Sequence, residues 1–134
     1  MPQEVYDIFT RDFVNITDCV DVVRAVYTDE QDGIRAESTI RYAGKEMPVQ
    51  SFGNGRLDAI AGALREVTGL DYSLESYTEH DLEGRSSSKA ASYVSIRHDG
   101  KLYWGVGIDS DIIVSSVKAL VSAVNIMFRA DKKQ

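Results

Sequence analysis

Two histidines, one cysteine, a serine triplet and two G-x-G pairs are the residues whose types and spacing bear on chemistry. His80 and His98 fall in different expected elements, and Cys19 is far from both. No H-x-x-x-H or C-x-x-C spacing occurs, so the histidines read as surface or polar-network groups rather than metal ligands. Ser86-Ser87-Ser88 sits in a polar stretch without a nucleophile-elbow pattern. It reads as a flexible loop, or as a loop that orders over a ligand. Among 21 Asp and Glu, no pair is marked for acid–base work. Gly53-Asn54-Gly55 and Gly105-Val106-Gly107 each stand just before an expected helix start. Glycine there permits positive φ or close backbone approach. A helix N-terminus carries unpaired N–H groups and partial positive charge, which can hold a carboxylate without Arg or Lys. The same spacing fits a tight strand-to-helix turn equally well.

The elements that must position these residues follow from periodicity. Val5, Ile8, Phe9 and Phe13 define one face of a short helix over 4–14. Strands are expected at Asp18–Thr28, Ile34–Tyr42 and Glu46–Phe52, with a polar turn at 29–33 and a tight turn at Ala43-Gly44-Lys45. A helix then runs to Thr68 on a Leu57, Ile60, Ala61, Leu64, Thr68 stripe, with Asn54 as N-cap and Gly69 as its stop. The second half repeats the order. Strands are expected at Tyr72–Leu82, Lys89–His98 and Lys101–Ile108, with a polar loop at 83–88 and a hairpin at Asp99-Gly100. A helix capped by Ser110 or Asp109 then reaches about Phe128.

A shift of 56 positions lays one half on the other. Ile40-Arg41 falls on Ile96-Arg97, Gly44-Lys45 on Gly100-Lys101, Ala63-Leu64 on Ala119-Leu120, and Asn54 on Ser110. Two copies do not make a solenoid. The expected fold class is α+β: two pseudo-symmetric βββα units forming an antiparallel sheet layer with helices on one face, after a short N-terminal helix.

With 134 residues, 43% of them hydrophobic, the chain is one domain with enough apolar surface for a core. A net charge of −6 without a Lys/Arg stripe argues against nucleic acid. A lone cysteine allows no internal disulfide and fits a reducing compartment. Met1-Pro2-Gln3-Glu4 lacks a signal pattern, and no apolar run looks long enough to cross a bilayer. The expectation is a cytoplasmic protein with no membrane contact. The last helix is apolar around most of its circumference, through Ile112, Ile113, Val114, Val117, Leu120, Val121, Val124, Met127 and Phe128. One face belongs on the sheet. The remainder is expected either to pair two chains or to lie under the N-terminal helix.

Four stretches recur in order and carry a resemblance: Gly53-Asn54-Gly55-Arg56-Leu57-Asp58-Ala59, Tyr77-Thr78-Glu79-His80, Trp104-Gly105-Val106-Gly107-Ile108 and Val121-Ser122-Ala123-Val124-Asn125. With Asp111 to Ala119, they resemble the C-terminal regulatory domain of 2-isopropylmalate synthases over about residues 18–128. Residues 1–17 resemble the tail of a preceding linker subdomain. Residues 18–134 then form the regulatory domain, with repeat units at about 18–69 and 72–129.

The resemblance implies a leucine-binding feedback module that pairs as a homodimer and serves the catalytic domain of a parent enzyme in leucine biosynthesis. It implies that this chain alone is no enzyme and holds no cofactor. The parent acyltransferase would use a divalent metal and acetyl-CoA in an upstream TIM barrel. Carried over position by position, the effector pocket involves Gly53, Asn54, Gly55, Leu57 and Asp58, then Leu74, Tyr77 and Asp81, then Ser88, Ala90, Gly107 and Ile108. In that reading N–H groups around Gly53–Gly55 or Gly107–Ser110 hold the leucine carboxylate. Asp58, Asp81 or backbone carbonyls take the ammonium. Leu57, Leu74, Tyr77 and Ile108 enclose the isobutyl group. Arg56 stands where members of the family often carry Pro. Two alternatives remain open: an isoleucine-sensing regulatory domain of a citramalate synthase, and a dimerisation module without effector binding.

Overall fold

Left-handed turn residues set the two central hairpins. Ala43 and Gly44 have φ of 54° and 78°, and Asp99 and Gly100 have 52° and 76°. Two successive positive φ values are the turn geometry that matches the twist of paired strands, and the second position of each turn is Gly, which adopts it at least cost. The structure is a computed structural model, and it describes residues 14–81 and 89–132. The helix expected over 4–14 lies outside the described residues apart from Val14, which forms a β-bridge to Val106, and the serine triplet lies outside them too.

The described elements are β1 (Val20–Glu30), β2 (Gly33–Tyr42), β3 (Lys45–Gly53), α1 (Arg56–Thr68), β4 (Ser73–Asp81), β5 (Ala90–His98), β6 (Lys101–Asp109) and α2 (Ile112–Lys132). They form two βββα units, each with its own antiparallel sheet, in the orders β1-β2-β3 and β4-β5-β6. Strand boundaries move by one or two residues from those expected, and α2 runs one turn further. From β2 onward the units keep the 56-residue offset, since β3 begins at Lys45 and β6 at Lys101, α1 at Arg56 and α2 at Ile112.

The first strands follow a different offset. Val22 pairs with Ile40, and Leu74 pairs with Ile96. Each pair is followed by the same register shift, at Val22/Arg24 and at Leu74/Ser76. A bulge repeated at equivalent positions is a conserved device for re-aiming a strand. The matched residues stand 52 apart in β1 and β4 but 56 apart in β2 and β5. The second unit has four more residues between the matched positions, where the strand connection grows from residues 31–32 to residues 82–89.

Alternation then assigns the faces. Ala36 and Ile40 of β2, and Ser92, Val94 and Ile96 of β5, face the helices and are buried. On α1 the buried positions are Ala59, Ile60, Ala61, Ala63 and Leu64. Burying a side chain such as Ile60 or Leu64 is worth about 1.5–3 kcal/mol. Gly69 ends the helix as expected, at φ 71° with its N–H on the Arg65 carbonyl. Tyr72 returns to α1, its hydroxyl donating to the Ala61 carbonyl at 3.0 Å.

α1 rests on β2 and β3. α2 rests on β5 and β6, and its other side meets β1 and α1. Gly105 and Gly107 let α2 settle onto β6. A Cβ on Gly105 would lie 2.2 Å from the Ala119 carbonyl, and one on Gly107 2.0 Å from that of Ser115. The middle of α2, from Ser115 to Asn125 apart from Lys118, is consequently buried. This corrects the expectation of a broad exposed face on the last helix. The second unit's helix is wedged against the first unit, so its extra apolar surface is used within one chain. By length and composition, Ile112–Ala130 could cross a membrane, which also corrects the sequence reading. Most of it is buried in the fold, and it carries buried Ser115, Ser122 and Asn125, so it serves as a core helix.

Those polar residues clamp the incoming chain. Asn125 Oδ1 accepts from the Cys19 and Val20 N–H groups at 2.7 and 2.8 Å. Its Nδ2 donates to the carbonyls of Ile16, Val20 and Val121. Ser122 Oγ accepts the Ile16 N–H at 2.7 Å and donates to the Val106 carbonyl. The V-S-A-V-N stretch thus satisfies backbone groups just before β1 that burial would otherwise leave unpaired.

Candidate functional site

The N-termini of the two helices differ in one respect that governs what they can bind. Asp111 caps α2, and its Oδ1 accepts from the N–H groups of Ile113 and Val114 at 2.8 and 3.3 Å. The N-cap of α1 is Gly55, in extended backbone and with no side-chain cap. The α1 cap falls one residue after the expected Asn54, and the α2 cap falls one or two residues after the expected Ser110 or Asp109. A cap side chain must reach the second or third helical N–H, and the residue that does so is set by where the strand ends. The first N–H groups of α1 therefore stay open, whereas those of α2 are already met by a carboxylate.

Around the α2 opening the charge is further settled. Asp109 bonds Lys118 Nζ at 2.8 Å, and its other oxygen accepts from the Asp111 N–H at 2.9 Å. The hydrogen bond from Lys118, then that from the Asp111 backbone, hold the Asp109 carboxyl below the usual carboxylate range. A ligand carboxylate placed at Gly107–Ser110 would meet two anions. The α1 opening is the better of the two sites offered by the sequence.

Five sequence-derived candidates converge there. Gly53 ends β3, Asn54 and Gly55 make the turn, and Leu57 and Asp58 lie in the first turn of α1. The turn is tight, since a Cβ on Gly53 would sit 2.6 Å from the Ala59 nitrogen. Asn54 and Asp58 are exposed, and Leu57 is half-buried against the core.

Three more candidates lie along β4. Leu74 and Tyr77 pair with Ile96 and Val94, which puts them on the helix-facing side, and Asp81 pairs with Ala90. Leu74 packs against the same core as Leu57. The Tyr77 hydroxyl donates to Glu79, a residue not expected in the site, and burial and that hydrogen bond push the phenol up.

The remaining candidates are placed elsewhere. Gly107 lies beneath α2, where its missing side chain makes room for the helix backbone. Ile108 pairs with Ala91 on the opposite face of the second sheet, and its N–H donates to Asn15 Oδ1. Ser88 lies outside the described residues, as does the side chain of Asp81.

Sequence reasoning missed a cleft between β1 and the start of α2. It measures about 160 Å³ and is lined by Val22, Val23, Arg24, Ala25, Tyr27, Ile113, Val114 and Val117. Its lining is mainly aliphatic, and Val23, Ile112 and Val114 around it are exposed. Tyr27 lies where the two helix starts approach. The Arg56 guanidinium sits 5.7 Å from its ring centroid. Burial raises the Tyr27 phenol, Arg56 offsets part of that rise, and Asp111 adds to it. No spacing rule links position 27 to positions 56 and 111, and only the fold brings them near one another.

Among the described residues no group of three His, Cys, Asp or Glu could hold a metal ion. His80 stacks edge-on to Tyr93, and His98 Nδ1 bonds the Asp71 carbonyl at 2.6 Å.

Two βββα units, joined through a core that includes both helices, define an internally duplicated α+β domain. The chain belongs to the LeuA allosteric (dimerisation) domain family, whose sequence model matches residues 2–128. It is similar to the 2-isopropylmalate synthase of Desulfitobacterium hafniense, with 42% identity over 130 residues covering 96% of this chain and 23% of that protein. The 2-isopropylmalate synthase of Helicobacter hepaticus is 42% identical over 132 residues, covering 92% of this chain and 24% of that protein. That of Mycobacterium ulcerans is 34% identical over 127 residues, covering 92% and 22%. The chain thus spans about a quarter of the length of the curated relatives it matches.

Proposed function

We propose that this chain is the leucine-sensing regulatory domain of a 2-isopropylmalate synthase, acting in feedback inhibition of leucine biosynthesis. The observation that carries the reading is the open N-terminus of α1 beside the capped N-terminus of α2. An amino acid brings a carboxylate, and α1 offers unpaired N–H groups and the positive end of the helix dipole. Asp58 and Glu79 supply negative charge for the ammonium. Leu57 supplies apolar surface for the side chain, with Tyr77 of β4 as the candidate to complete it. Sealing an isobutyl group from water contributes on the order of 2 kcal/mol.

The chain is proposed to act as a homodimer in the cytoplasm, with the catalytic steps, the divalent metal and acetyl-CoA belonging to the remainder of the parent enzyme. The exposed apolar residues at the cleft, Val23, Ile112 and Val114, favour pairing at the end of the molecule where the helices begin. Leucine shifts the assembly only by its differential affinity for two arrangements.

Calorimetry with leucine, isoleucine and valine tests the reading. Saturable heat with leucine supports it. Heat with isoleucine alone transfers the reading to a citramalate synthase, and no heat at millimolar ligand leaves a dimerisation module. Gly55→Asp places in unit one the cap that unit two already has. It should leave stability unchanged or raised by a few tenths of a kcal/mol while abolishing the leucine heat. Undiminished leucine binding in that variant would remove the α1 opening from the site.

A further inference from the structure

The two units place different surfaces beneath their helices. At the 56-residue offset, Val49 and Ser51 of β3 match Gly105 and Gly107 of β6. Ser51 pairs with Ala36 and Gly107 with Ser92, so both lie on the side that the helix covers. α2 therefore rests on bare strand backbone. α1 rests on side chains, and Val49 and Ser51 are only half-buried beneath it. The Ser51 Oγ itself is buried without a hydrogen-bond partner. That cost lasts only while α1 stays seated, because water satisfies the hydroxyl once the helix lifts.

The fastening of the two helices is equally uneven. α1 buries Ile60 and Leu64 among small alanines, whereas α2 buries Val117, Leu120, Val121, Val124 and Met127. α2 is capped by Asp111, its Ser115 bonds Ser92 at 2.7 Å, its Lys118 bonds Asp109, and its Ser122 bonds the Val106 carbonyl. Among the described residues, no side-chain hydrogen bond joins α1 to β1, β2 or β3. Its outside bonds run to Tyr72, just past its own end, through the Ala61 carbonyl and the Arg65 side chain. Gly55 leaves its start uncapped, and Gly62 weakens the helix from within. A Cβ on Gly62 would meet nothing closer than Arg65 Nη2 at 3.8 Å, so packing does not demand glycine there.

We propose that α1 is the moving element of the domain: it opens from sheet one by local unfolding while α2 and sheet two stay folded. Elements that move are drawn from the least stable part of a fold. The regulatory meaning of this opening rests on the leucine reading. A ligand at the α1 start binds the seated helix and not the opened one, so its occupancy is felt as the seating of α1.

Amide hydrogen exchange in the full chain, followed residue by residue, tests this where closing outruns exchange and rates report opening populations. After correction for intrinsic rates, amides from Ile60 to Val67 should exchange about tenfold or more faster than those from Leu120 to Met127. Urea should speed α1 exchange with a shallower slope than α2 exchange, because opening one helix exposes less surface than unfolding the domain. Ser115→Ala should speed α2 exchange by roughly three- to tenfold, the loss of one hydrogen bond, and leave α1 exchange as in the parent chain. If Ser115→Ala unfolds the domain, the urea slopes of the parent chain decide alone. Equal rates and slopes in the two helices, or equal acceleration of both by Ser115→Ala, overturn the proposal. Leucine at 100 times its Kd should slow α1 exchange by about a hundredfold. If the helices differ as expected and leucine slows neither, α1 stands as the moving element and its start leaves the effector site.

Discussion

Asn125 shows how much one residue can hold. It joins α2 to the backbone on both sides of the turn into β1 through four hydrogen bonds, with a fifth to the Val121 carbonyl of its own helix, all from one fully buried amide. Removing it leaves buried N–H and C=O groups without partners, each costing about 1–3 kcal/mol. Asn125→Ala should lower unfolding free energy by roughly 3 kcal/mol or more in urea denaturation. A loss below about 1 kcal/mol would mean that water replaces the amide and the clamp is weaker than its geometry suggests. Asp109 offers a second residue-scale test. Its folded-state pKa is depressed, so its contribution to stability is present above the unfolded-state carboxylate pKa and is lost as pH falls through the folded value. Asp109→Asn should cost at most about 1 kcal/mol at neutral pH, because the pair with Lys118 is partly exposed. The two proteins should converge in stability when melts are compared at successively lower pH, below the usual Asp range. A gap that persists at the acid end would assign the effect to packing, not charge.

At the scale of elements, the seating of α2 on β6 separates two kinds of glycine that look alike in sequence. Gly107 has helix backbone where its Cβ would go, and Gly55 has nothing within 4 Å. Gly107→Ala should destabilise by roughly 1–3 kcal/mol or more, since rigid backbone must move to relieve the overlap. Gly55→Ala, in extended backbone, should cost no more than about 1 kcal/mol, through the poorer cap alone. Thermal melts of the two variants check the contrast, and equal losses would contradict the close approach. The glycine motif after β3 and the one inside β6 therefore do different work. The first opens a helix end, and the second lets a helix lie close to its sheet.

For the whole molecule, the expected arrangement is a pair of chains. Light scattering should return twice the 14.9 kDa mass of one chain, with or without leucine. Saturating leucine should raise the melting temperature, because a ligand held only by the folded state at 100 times its Kd adds about 2.7 kcal/mol. A monomer at all concentrations would remove the pairing but leave the fold and its clamp untouched. The surface at stake has also changed. The last helix does not offer the broad apolar face that its sequence implied, and the exposed large apolar residues are spread over the cleft beside β1, through Val23, Ile112 and Val114, and over the strands, through Val26, Phe52, Tyr77, Leu102 and Trp104.

What could be read from residues alone was everything set by local periodicity and turn chemistry. The order of the elements, the Ala43-Gly44 and Asp99-Gly100 hairpins, the stop at Gly69 and the two-unit repeat all follow from neighbours within a few positions, and the structure has them. The resemblance in the glycine and V-S-A-V-N stretches located the family for the same reason, since motifs are local strings. The tertiary structure alone decided which helix start stays open, because Gly55 and Asp111 occupy their caps only once the strand ends are placed. It alone decided that Tyr27 lies between Arg56 and Asp111, and that α2 spends its second face on the neighbouring unit. Those outcomes depend on how two units pack, and packing joins residues whose distance along the chain carries no signal of their distance in space.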